Sequence, residues 1–163
     1  MKVYLAADHA GFELKNKLVE FVRSLGHETQ DCGAATYDLG DDYPLIIASA
    51  ARKLSIDALA GVDSRAIVVG ASGQGEAMVA NRFKGVRCAL YYCAPSRSQT
   101  DAAGKELDML ASTRMHNNSN ALSLGARFLT EDEAKAAVRA WFLASYAGED
   151  RHARRTKQID EVT

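Results

Sequence analysis

Seven residues carry the strongest chemical suggestion in the chain: Gly70-Ala71-Ser72-Gly73-Gln74-Gly75-Glu76. They follow the β-branched run 65–69, where a strand would pass into a helix, so backbone N–H groups are left free to hold an oxyanion. The loop lacks the third glycine of the dinucleotide fingerprint and the GK[ST] of a P-loop, and Glu76 would repel a phosphate placed against it. A carboxylate beside an oxyanion hole suits a general base acting on a carbon acid whose enolate the hole stabilises. By itself the loop reads equally well as a tight turn with glycines for positive φ, and Glu76 as an acidic first-turn residue favoured by the helix dipole.

Other polar residues fall near strand ends. Asp8 and His9 follow the first predicted strand, Cys32 and Gly33 the second, and Gly125 and Arg127 the last. The His116-Asn117-Asn118 segment adds a second imidazole near a predicted strand end, and imidazoles shuttle protons near neutral pH. Arg127, Arg151 and Arg155 offer guanidinium forks that match phosphate oxygens; the alternative for Arg151 and Arg155 is a solvated basic tail. Tyr43, beside Pro44, either stacks on a sugar face or packs at a helix start. His27, at a predicted strand start, reads as structural. A crescent of Asp, His, Ser, Glu and Arg is what a small anionic substrate needs, and in open parallel sheets ligands bind beyond the carboxyl ends of the strands.

Short strand-like segments at 3–6, 27–31, 65–69, 86–91 and 121–124 alternate with helical spacing at 12–25, 43–59 and 130–147. That alternation predicts βα units stacked by right-handed crossovers into a three-layer α/β/α, Rossmann-like doubly wound sheet of about five parallel strands. The run 65–69 is apolar throughout, as in a strand buried on both faces. Gly26 ends the first helix, Pro44 sits in the first turn of the second, and Thr130-Glu131-Asp132-Glu133 is a capping box opening the last. Residues 93–115 read as a polar loop followed by a weak helix at 105–113. One domain over 1–147, with a basic helix or tail at 148–163 reaching a neighbouring subunit, is the expected organisation.

The 163 residues suffice for a core that needs no disulfide or metal staple. A formal net charge of −1 supplies no global field for nucleic acid or an anionic membrane. Cys32, Cys88 and Cys93 form no CxxC pair and have no His at metal-ligand spacing, so no zinc site is expected. With no apolar run long enough for a signal peptide or a membrane span, a reducing cytoplasm is expected, with Cys32 and Cys88 as small core residues.

Taken together, these residues resemble the type B ribose-5-phosphate isomerase family, which also contains galactose-6-phosphate and allose-6-phosphate isomerases. Asp8-His9-Ala10-Gly11-Phe12-Glu13-Leu14-Lys15 is similar to its N-terminal motif, Asp41-Asp42-Tyr43-Pro44 to its DYP segment, and Gly73-Gln74-Gly75-Glu76 with Ala80-Asn81-Arg82 to its glycine loop and helix. His116-Asn117-Asn118, Leu124-Gly125-Ala126-Arg127 and Arg151-His152-Ala153-Arg154-Arg155 complete the order. The resemblance implies reversible aldose–ketose isomerisation of ribose 5-phosphate through a cis-enediolate, with no metal and no organic cofactor. Many members use a Cys at the position of Gly70 as base; another branch uses a Glu at the position of Glu76, and this chain has that Glu. It further implies that Ser72 and the N–H groups of Gly73 to Gly75 stabilise the enediolate, that His116 and Asp8 open the ring, and that Asn117 and Tyr43 hold the sugar. Phosphate would sit against His9, Arg127, Arg151 and Arg155, in homodimers with shared active sites, often paired into tetramers. A longer segment between Tyr92 and His116, with the added residues at 95–106, departs from the Glu-type pattern and bears on substrate size. Two alternatives stand beside this reading: the same reaction on a six-carbon or four-carbon aldose phosphate, and a non-catalytic sugar-phosphate binding module on a doubly wound sheet.

Overall fold

Val3, Leu5 and Ala7 turn to one side of the first strand, Tyr4 and Ala6 to the other, and all five are buried. A strand apolar on both faces has to be covered on both. The computed structural model, which describes residues 1–101 and 103–162, meets that demand with five parallel strands in the order β2-β1-β3-β5-β4. These are β1 (Lys2–Ala7), β2 (Glu28–Asp31), β3 (Ser64–Gly70), β4 (Cys88–Tyr91) and β5 (Ala121–Gly125). On one face α1 (Phe12–Ser24), α4 (Met109–Met115) and α5 (Glu131–Leu143) pack through Leu18, Val22, Leu110, Val138 and Trp141; on the other lie α2 (Tyr43–Leu59) and α3 (Gln74–Ala80), through Ile47, Ala51, Leu54 and Ala80. The three-layer doubly wound sheet expected from the sequence is the fold observed. Among the described residues no helix is long and apolar enough to cross a membrane.

From β1 the chain turns outward to the β2 edge, and from β3 toward the opposite edge. The carboxyl ends of β1 and β3 therefore flank the topological switch point, where the outgoing loops part and leave a crevice. Asp8 and the glycine loop are the first residues beyond those two ends.

Helix boundaries follow local chemistry, with two exceptions. The Thr130–Glu133 capping box forms as expected, and Pro44 lies in the first turn of α2. The weak helix starts at Met109 rather than 105, because Asp108 caps it by accepting from the Ala111 N–H at 2.6 Å. The last apolar helix stops at Leu143 rather than 147. There Ala144 is extended, its carbonyl accepts from Arg114 Nε at 3.4 Å, and the Ala147 N–H donates to the Met115 carbonyl; tertiary hydrogen bonds outweigh the helical pattern. Within the long segment after β4, the N–H of Leu107 donates to the Gln99 carbonyl at 2.8 Å and Thr100 bridges Glu106, folding it back as a short hairpin.

The basic tail is a helix, α6 (Asp150–Glu161), that buries His152 and Thr156 and is tied at its far end by Asp160, which accepts from the Gly85 N–H at 3.1 Å. Arg114 is buried beneath the preceding turn. It donates to Asn118 Oδ1 and to the Ser119 carbonyl, while the Trp141 indole N–H donates to Ser119 Oγ at 2.9 Å.

Among the described residues Lys15 is the one buried ammonium: 1% exposed, it pairs with Asp31 Oδ2 at 2.5 Å and joins α1 to the end of β2. Removing the acceptor alone leaves a buried charge, whereas removing the charge leaves a methylene stem of suitable volume. Asp31→Ala should therefore destabilise the fold by about 2 kcal/mol or more, and Lys15→Met by clearly less. Urea unfolding with an unchanged m value checks both.

Candidate active site

At the end of β1, the Asp8 carboxylate accepts from the Gly11 N–H at 3.2 Å, closing a 3-10 turn at His9–Gly11 that packs directly on β3. A side chain at Gly11 would meet the Val69 carbonyl oxygen at 2.5 Å. His9 follows, half-buried, with Nδ1 2.6 Å from Asp41 Oδ1 and its own N–H donating to that same oxygen at 3.2 Å.

At the end of β3 the glycine loop is fixed by three constraints. Gly73 has φ +76°, a left-handed conformation that favours glycine, and its carbonyl accepts from Ser123 Oγ at 2.6 Å. A side chain at Gly75 would strike the Tyr43 ring at 2.7 Å, so the start of α3 lies directly against Tyr43. The loop after β5 is pinned to it, because the N–H groups of Ala126 and Arg127 donate to the carbonyls of Gly70 and Ala71. In the first turn of α3 the N–H groups have no intrahelical partner; that of Gln74 turns to Ser72 Oγ at 3.3 Å.

Glu76 occupies the first turn of α3 and is only 5% exposed. Its carboxylate fills the space directly above Gly70: a β-carbon there would come 2.5 Å from Oε2 and closer still to Oε1 and the carboxyl carbon. A side chain at position 70 and a carboxylate from position 76 exclude one another. Burial pushes the Glu76 carboxyl above the ordinary range, its own backbone N–H offsets part of that, and the Asp8 charge adds to it. Beside it, burial and the Glu76 charge drive the thiol of the partly buried Cys88 up to about 12, which disfavours its thiolate. Asp8, His9, Tyr43, Ser72, the glycines, Glu76 and Arg127 are thus gathered beyond the carboxyl ends of β1, β3 and β5, around the switch-point crevice.

The remaining sequence candidates lie elsewhere. His116 and Asn117, expected near a strand end, precede β5 and sit at its amino end, since α4 has carried the chain back along the sheet. Five strand residues, about 16 Å, separate that end from the crevice. The His116 ring stacks on His152 of α6 with centroids 4.5 Å apart and planes 9° from parallel. Arg151 Nε donates to His152 Nε2 at 3.2 Å, and burial together with His116, Arg151 and Arg155 lowers the affinity of His152 for a proton. Asn117 borders a groove of about 340 Å³ between α6 and the unpaired edge of β4, with Arg87, Cys88 and Ile159. One chain therefore carries two clusters of the candidate residues, at opposite ends of its sheet.

Sequence reasoning missed Asp41, Arg114 and the His152 stack. Asp41, named in the sequence only within the DYP segment, turns its carboxylate to His9, while Asp42, in the N-cap position, makes no side-chain cap. Asp8, His9 and Asp41 bring potential metal-ligand atoms within 4.8 Å of one another, with two of those atoms already joined in the His9–Asp41 hydrogen bond.

Residues 3–159 match the ribose/galactose isomerase family. Ribose-5-phosphate isomerase B of Mycobacterium tuberculosis is 41% identical over 161 residues, 99% of this chain and 89% of that protein. The crystal structure of ribose-5-phosphate isomerase B from Mycoplasma genitalium with bound ribulose-5-phosphate superposes with a TM-score of 0.83 at 28% identity, covering 99% of this chain and 95% of that one. The Thermotoga maritima ribose 5-phosphate isomerase superposes at 0.78 with 31% identity over 98% and 97% of the two chains. With the family matched across nearly all its length and relatives of the same order of size, this chain belongs to the ribose/galactose isomerase family.

Proposed function

We propose that this protein interconverts ribose 5-phosphate and ribulose 5-phosphate, with Glu76 as the base. The observation that carries the reading is the Glu76 carboxylate, buried above Gly70 at the mouth of the glycine loop. Relatives named for this reaction, one with ribulose-5-phosphate bound, support the choice of substrate. In the open-chain aldose, Glu76 takes the C2 proton. The C–H electrons form the C1=C2 bond, and the carbonyl electrons move to O1. Ser72 and the N–H groups of Gly73 to Gly75 face the cis-enediolate oxygens. One proton passes from O2 to O1, and Glu76 returns the other to C1, giving the ketose with no net redox change. A base with a raised pKa is well matched to this, because proton return is as necessary as proton removal.

Ring opening assigned to Asp8 and His116 needs both groups on one sugar, and they stand at opposite ends of β-strands in one chain. A second copy supplies the missing half. In an isologous dimer, the amino-end cluster of one protomer, His116, Asn117, Arg151 and Arg155, caps the crevice of its partner, and the reverse contact builds the second site. Phosphate is then held by His9 and Arg127 from one protomer and by Arg151 and Arg155 of the other, with Tyr43 against the sugar. The domain at 1–147 and the helical tail at 148–163 act together in this arrangement, the tail serving the neighbour.

Purified protein in chelator-containing buffer should convert ribose 5-phosphate at about 1–10 per second or faster. The acid limb of kcat should fall above the ordinary glutamate range, since Glu76 must lose a proton that burial and Asp8 help it keep. No turnover by folded protein, or activity only with added metal, would overturn the assignment.

The shared site has its own test. Glu76→Gln and His116→Asn proteins, each inactive alone, should recover about a quarter of wild-type activity when unfolded together and refolded, because each mixed dimer contains one intact site. Recovery absent despite mixed dimers on native mass spectrometry would mean that each chain works by itself.

A further inference from the structure

The loop between β2 and α2 closes on His9 with two residues. Asp41 accepts from both the ring Nδ1 and the backbone N–H of His9, and the Tyr37 ring meets the imidazole edge-on at 6.4 Å and 88°. Tyr37 in turn packs edge-on against Phe12, at the start of α1. Two hydrogen bonds to one carboxylate oxygen fix the imidazole both in rotation and in position along the chain. With Nδ1–H committed to Asp41, Nε2 is the free edge of the ring.

We propose that Asp41 is a positioning residue for anion binding, holding His9 with Nε2–H presented to the phosphate of the substrate. This rests on the phosphate site assigned above. The groups facing His9 are Asp41, Asp8 and Arg127. Asp41, and to a smaller extent Asp8, favour the imidazolium, while partial burial and the Arg127 charge oppose it; the balance raises the His9 pKa. A cationic imidazole beside Arg127 would be disfavoured without a counter-charge, and Asp41 supplies it from the side away from the ligand. The carboxylate also has its second oxygen, Oδ2, buried with no hydrogen-bond partner, so its charge is directed at His9 alone among the described residues. The sign follows directly. His9 is an imidazolium below its raised pKa and loses its charge as pH rises through it. Neutralising Asp41 lowers that pKa, so charge-assisted phosphate binding is lost at a lower pH.

Three variants separate the possibilities: Asp41→Asn, Asp41→Glu and His9→Gln, each assayed for KM and kcat on ribose 5-phosphate from pH 5.5 to 9. Asp41→Asn should raise KM about tenfold near neutral pH, with kcat within about twofold of wild type. The pH at which its KM climbs should shift downward, and Asp41→Glu should restore part of the affinity. A nitrogen-detected NMR titration of His9 in folded protein should show Nδ1 protonated in wild type, with the titration moved to lower pH in Asp41→Asn. A KM raised by His9→Gln but untouched by Asp41→Asn would overturn the positioning role while leaving the phosphate site in place. No effect of His9→Gln on KM would instead remove the phosphate assignment on which the role depends.

Discussion

The space above Gly70 is the constraint on which the rest of the site depends. A parallel strand buried on both faces ends there, and the next helix must start within a few residues in a left-handed glycine turn. That geometry drops the first turn of α3 over the strand end, so the third residue of the helix, Glu76, reaches back into the only volume a side chain at 70 could have used. The enclosure that desolvates the carboxylate and raises its pKa is thus a product of backbone topology. A side chain at position 70 and the Glu76 carboxylate would compete for that one place.

A second consequence of topology is that the candidate residues fall into two separate clusters. Every connection in a doubly wound sheet returns the chain to the amino ends before the next strand, so residues just before a strand and just after one cannot meet within a chain. His116 and Asn117 are of the first kind, Asp8 and Glu76 of the second. The buried Arg114, donating to Asn118 and Ser119, and the His116–His152 stack rigidify the amino-end half against α5 and α6. Asp41 does the corresponding work for His9 at the carboxyl end. Each cluster is held by its own contacts, as the proposed sharing of a site between two copies requires.

The layer architecture was legible because strands with two buried faces and helices with one have different apolar periods, and 65–69 and 12–25 display them clearly. The glycine loop and Glu76 were legible because they are contiguous and flank one strand end. What stayed hidden was set by distance in sequence. Asp41 lies 32 residues from His9, and an acidic residue before a helix carries the same local signature whether it caps or reaches across. His116-Asn117-Asn118 was placed near a strand end, but its sequence gives no sign of the direction in which the chain approaches the sheet, so its separation from Asp8 stayed hidden. The end of α5 was overextended for a related reason, because the hydrogen bonds that unwind it come from α4 and its flanking turn. The inserted hairpin has no apolar period and could be placed only as a loop.

Glu76 as the proton carrier is the centre of this account, and isotope exchange addresses it without depending on overall turnover. Ribose 5-phosphate incubated in D2O with Glu76→Gln protein should bind with near-normal affinity yet show no deuterium at C2, or at C1 of any ketose formed, while wild-type protein incorporates it readily. Deuterium incorporation by the variant at a rate near that of wild type would contradict the account and require a different base.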